Sequence, residues 1–115
     1  MKDDSSLADL VAEARRLSVL IDRGVDALRE ASEQLARAEN AYRHAKAKAW
    51  LTADGELAKE RESYVDAMTA DLRMVRDMHE GTRQASLEAL RSRRAQVSAI
   101  QSILAATRSE MEMGR

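Results

Sequence analysis

The feature that most constrains this chain is a heptad repeat running through its first half. With Leu7 as position a and Leu10 as position d, the a positions read Leu7, Ala14, Ile21, Leu28, Leu35, Tyr42 and Ala49. The d positions read Leu10, Leu17, Gly24, Ala31, Ala38, Ala45 and Thr52. All but Gly24 and Thr52 are apolar or aromatic, and a repeat sustained this long specifies a coiled-coil-like helix. Composition agrees. The 115 residues include no proline, four glycines and only 3 % aromatics, which disfavours a sandwich or barrel. Hydrophobic residues at 44 % and a net charge of -1 exclude a typical disordered chain.

The spacing predicts a single helical domain over residues 1–115. Its first helix is predicted from about residue 6 to about 53, roughly 70 Å at about 1.5 Å per residue. Ser6 is the expected N-cap, with Asp9 reaching back. Alanines at d predict a close approach of helices. Thr52-Ala53-Asp54-Gly55 is the strongest break in the chain and predicts a turn over about residues 52–56. A second helix is expected from about 56 to 112, carrying Leu57, Tyr64/Val65, Met68, Leu72, Val75 and Met78 towards its partner. Beyond Gly81 the apolar pattern resumes one position displaced, with Leu87, Leu90, Val97, Ile100, Leu104 and Met111. This predicts a stutter, or a kink or break near Gly81.

Charge predicts how the halves pair. Residues 1–34 hold five basic and eight acidic side chains, whereas residues 83–108 hold five arginines and one glutamate. Folding about Asp54 lays one arm on the other, with residue 25 facing 83 and residue 14 facing 94, and brings Tyr42 near Tyr64 and Trp50 near Leu57. The expected fold class is therefore all-α: a long antiparallel helical hairpin. A two-helix layer leaves Val11, Val19, Leu20, Val25 and Leu51 off the seam, which argues for a homodimer forming an elongated four-helix bundle. The dimer and core seam is expected at Leu7, Leu10, Leu17, Ile21, Leu28, Leu35, Tyr42, Val97, Ile100 and Leu104.

Chemistry is nearly absent from the sequence. There is no cysteine, hence no thiol nucleophile or disulfide. Neither His44 nor His79 has an acid three residues before it, as a di-metal bundle site requires. No His-Glu-x-x-His, phosphate-loop or nucleophile-elbow pattern occurs. No enzyme activity, cofactor or metal is expected. The longest aliphatic run is Val19-Leu20-Ile21, far short of the roughly 20 residues that span a bilayer. The polar, acidic start is unlike a signal peptide. No membrane contact and a cytoplasmic location are the expectation. The candidate contact residues are Met78, with other methionines as adaptable surface, and Arg83, Arg91, Arg93 and Arg94. The arginines could grip phosphates or flank the bundle opposite Asp9, Glu13 and Asp22.

Two stretches, Ala41–Leu51 (AYRHAKAKAWL) and Leu90–Ser102 (LRSRRAQVSAIQS), together with the acidic start, resemble small all-helical proteins of unassigned function from actinobacterial phages and prophages. The resemblance implies an accessory role near DNA metabolism, or the binding of a host protein. It brings no catalytic or binding residues with it. The functional expectation is a non-enzymatic module acting on an unidentified protein partner, with nucleic-acid binding through the Arg83–Arg108 arginines as the alternative.

Overall fold

A computed structural model describes residues 4–55 and 57–114. Helix α1 spans Asp4–Thr52 and helix α2 spans Ala58–Met113, with no strand among the described residues. Helix α1 already begins at Asp4, so Ser6 lies inside the first turn rather than capping it. At the other end of α1, the Thr52 hydroxyl donates to the Ala49 carbonyl at 3.2 Å, occupying an acceptor the ending helix leaves open.

The turn requires its glycine. Gly55 has φ 150°, and a Cβ there would lie 3.0 Å from Glu60 Oε2. Helix α2 then starts on the Leu57 carbonyl, which accepts from the Glu60 and Arg61 amides at 3.1 and 3.3 Å. Glu60 in this first turn complements the helix dipole. Helix α2 passes through Gly81 without a break; Gly81 is exposed and a Cβ there would meet nothing within 4 Å.

The contacts divide into two compact units. One joins Met1–Ala27 to Ser86–Arg115; the other is Leu28–Ala85 and carries the turn. In a two-helix layer each side chain meets only those within a turn or two of it, so contacts stay local. Each unit is a piece of hairpin with its own core.

The first unit buries Leu17, Leu90 and Ile100, with Thr107 beside them. The Thr107 hydroxyl donates to the Ile103 carbonyl at 2.9 Å, which makes its burial affordable. Gly24 is buried, and a Cβ on it would stand 3.3 Å from Leu90 Cδ1. The glycine that interrupts the heptad thus sits directly against Leu90 of α2. Leu7, Leu10, Ile21, Val97 and Leu104 are half-buried around this core.

The turn-bearing unit buries Ala31, Ala38, Ala49, Val65 and Thr69, with Leu28, Leu35 and Tyr42 half-buried. The Thr69 hydroxyl donates to the Val65 carbonyl at 2.7 Å. Small residues at d in α1 and Val65 in α2 make this a thin, close-packed seam.

The inward face of α2 differs from the one expected. Its buried and half-buried positions are Val65, Thr69, Leu72, Arg76, His79, Glu80 and Arg83 in the turn-bearing unit. In the other unit they are Ser86, Leu87, Ala89, Leu90, Arg93, Val97, Ile100, Leu104 and Thr107. Within each unit one series alternates steps of four and three, with Glu80, Leu87 and Ala89 on its flanks. The apolar pattern slips because part of the true seam is polar. Met68, Val75 and Met78, expected to face α1, are 62 %, 39 % and 65 % exposed.

The register differs too. Tyr42 stands opposite Arg76 rather than residue 66, and Gly24 opposite Leu90 rather than residue 84. The bend is not centred on Asp54, because the non-helical turn continues to Leu57. The expected aromatic cluster therefore does not form. Tyr42 receives Arg76 at 4.7 Å and Lys46 at 5.8 Å from its ring centre, and Trp50 receives Arg61 at 5.7 Å. Tyr64 instead shares a 3.4 Å hydroxyl contact with Thr52.

Candidate interaction surface

The arginines singled out from the sequence separate by burial. Arg83 and Arg93 occupy seam positions and are half-buried, whereas Arg91, Arg94 and Arg108 are exposed. A helix turns by about 100° per residue, so neighbouring arginines in sequence cannot share a face. Arg93 lies across the gap left by Gly24, with Nη1 3.7 Å from where a Cβ would be. Arg83 donates from Nη2 to Glu80 Oε1 at 2.8 Å and from Nε to Oε2 at 3.3 Å. This pairing raises the Arg83 pKa and lowers that of Glu80, which also accepts from Gln84. Glu39 of α1 adds to the field that holds Arg83 charged.

Arg76 was not singled out from the sequence, yet it occupies the seam of the turn-bearing unit. It donates to Asp77 at 2.9 and 3.1 Å while its guanidinium covers the Tyr42 ring. The Asp77 hydrogen bonds are the main cause of its raised pKa, with Tyr42 and Glu39 contributing. Two arginines and a tyrosine thus fill positions where a coiled coil usually places leucine. Long side chains can do this because their stems pack while their charged ends reach the edge.

Several acid–base pairs among the described residues lie within one helix. Glu13 binds Arg16, with Arg16 Nε donating to Glu13 Oε2 at 2.9 Å. That contact lowers the Glu13 pKa. Glu39 pairs with Arg43 and Glu80 with Arg83, again within one helix. Partners three or four residues along a helix are already within reach, whereas Arg91 and Arg94 project away from the seam. These pairs are exposed or half-exposed and contribute little to stability.

The seam's placement leaves an apolar series outside it. Leu57, Tyr64, Met68, Val75 and Met78 lie on α2 or at its start, spaced for one face, and are 37–65 % exposed. Ala67 and Met74 widen the same face. Past Val75 it opens into a shallow groove with Met78, Gly81, Thr82 and Ala85. Gly81 creates that notch by lacking a side chain. Its position in sequence gives a direct signal: this series runs one residue ahead of the seam at 64/65, 68/69, 71/72, 75/76 and 78/79. Only the seam series continues in step to Thr107.

Other exposed apolar groups are more scattered. Leu7 and Leu10 border an open groove with Ile103 in the first unit, and Val11 and Met111 are also exposed. His44 is exposed and His79 half-buried. Among the described residues, no group of three His, Asp or Glu side chains could hold a metal ion, and no helix is long and apolar enough to cross a membrane. No family model, curated protein or solved structure matches this chain.

Proposed function

We propose that this chain is a non-enzymatic helical interaction module. In this reading it dimerises into a four-helix bundle and uses protein–protein contact to act on a partner. The exposed apolar face of α2 from Leu57 to Met78 carries the reading. An apolar face of this length beside an already occupied seam is what an assembly surface requires. Its methionines suit contact with a partner of irregular shape. The resemblance to small helical phage and prophage proteins of unassigned function is consistent with a module that acts in the host cytoplasm near DNA metabolism.

The burial of Arg83 and Arg93 favours this reading over direct nucleic-acid binding. Both are committed to the hairpin, leaving Arg91, Arg94 and Arg108 as the exposed arginines of the set. The balanced overall charge adds no long-range attraction for phosphate. The test is sedimentation equilibrium of the full chain, alone and with a short single-stranded and a duplex oligonucleotide. The expected result is a dimer whose mass is unchanged by either oligonucleotide. Binding that falls steeply with salt and disappears on Arg91/Arg94→Glu substitution would overturn the reading in favour of phosphate recognition.

A further inference from the structure

We propose that a second copy of this chain occupies the exposed face of α2, running antiparallel to it in one register. In that register Arg61 meets the second copy's Asp71, Tyr64 meets Met68, and Leu57 meets Val75. The inference deepens the dimer reading above and rests on it.

The direction of the face supports a bundle. Each of its positions precedes a seam position by one residue, a rotation of about 100° around the helix. A helix in a four-membered bundle touches two neighbours on faces about a quarter turn apart. The seam holds α1, which the second face also borders near the turn, where Tyr64 reaches Thr52 and Arg61 covers Trp50; beyond Met68 the face is oriented to receive another helix.

Charge then selects the register. Along Leu57, Arg61, Tyr64, Met68, Asp71, Val75 and Met78, the two charged side chains are Arg61 and Asp71, both exposed; Arg61 lies over the Trp50 ring at 5.7 Å in the single hairpin and exchanges that contact for Asp71 in the dimer. Antiparallel pairing about a two-fold axis matches them reciprocally, so each copy supplies one partner to the other. The same register sets Tyr64 on Met68 twice and Leu57 on Val75 twice. Sliding by one heptad places Asp71 against Met68 or against another acid, Asp54. Burying an unpaired carboxylate is costly, and placing two acids together is costly as well.

Shape agrees with charge. Leu57 is 62 % exposed at the start of α2. Set against Val75, it lies at the mouth of the groove that continues along Met78, Gly81 and Ala85.

A charge exchange tests the register on the full chain. Sedimentation equilibrium over a concentration series gives the dimer dissociation constant, and far-UV circular dichroism verifies that each variant remains helical. Asp71→Lys and Arg61→Glu each set like charges together twice. Each is expected to weaken the dimer on the order of 100-fold. The double variant Arg61→Glu/Asp71→Lys restores the pair and is expected to return to within about threefold of the unmodified chain. A dimer indifferent to both single changes, or not restored by the exchange, overturns the register while leaving the interaction module standing. A chain that is monomeric throughout overturns the dimer reading as well. Because the chain has no cysteine, mixing Arg61→Cys with Asp71→Cys gives a second measurement. A mixed disulfide is expected under mild oxidation, and preferential formation of like-with-like disulfides overturns the pairing.

Discussion

Val65→Asp is expected to unfold the turn-bearing unit, with a loss above about 4 kcal/mol. Val65 is 1 % exposed, and the Thr69 hydroxyl nearby already donates to the Val65 carbonyl. A carboxylate here would lose water without gaining a matched cation. A loss of this size approaches the whole stability of a small domain, about 5–15 kcal/mol. Urea denaturation followed by helical circular dichroism gives the result directly. The same replacement at Met68, three positions along and 62 % exposed, is expected to leave the hairpin helical, its cost falling on the dimer contact instead. The contrast separates the seam from the apolar face beside it. Equal effects at the two positions would mean that α2 is rotated relative to the arrangement described here.

Leu17→Ala is expected to destabilise by about 3 kcal/mol. Leu17 is 2 % exposed, and together with Val65 it is one of the largest fully buried side chains among the described residues. The next d positions are Gly24, Ala31 and Ala38, so Leu17 supplies apolar volume the following turns do not. Removing three carbons leaves a gap that the backbones cannot close without moving Gly24, whose closeness to Leu90 is already 3.3 Å measured from a Cβ position. A fall in the urea midpoint with an unchanged slope is the expected signature. A loss below about 1 kcal/mol would show that the first unit is not organised around Leu17.

The sequence was legible where one helix face carried most of the hydrophobicity. In α1, the a and d residues are the inward ones, and even Gly24 has a packing reason to be there. In α2 two faces compete. Met68, Val75 and Met78 form the more apolar series, while the seam beside them runs through Thr69, Arg76, His79 and Arg83. Hydrophobic periodicity sums over faces and does not say which face meets α1. An arginine over a tyrosine ring, as with Arg76 and Tyr42, leaves no signature in spacing. The register was displaced for a different reason. Asp54-Gly55 identified the turn, but its centre depends on where α2 begins, and Leu57 has no capping side chain to announce it. The arginine cluster read as one feature because its members are adjacent in sequence; rotation around the helix gives Arg93 a different role from Arg91 and Arg94.

The interaction-module account depends most on the exposed face of α2, and sedimentation equilibrium of Met68→Glu/Val75→Glu beside the unmodified full chain tests it most directly. The account predicts a dimer for the unmodified chain and a monomer of unchanged helix content for the variant, because two glutamates per copy would have to be buried without partners. A monomer in both cases, or a dimer that survives the double substitution, would contradict it.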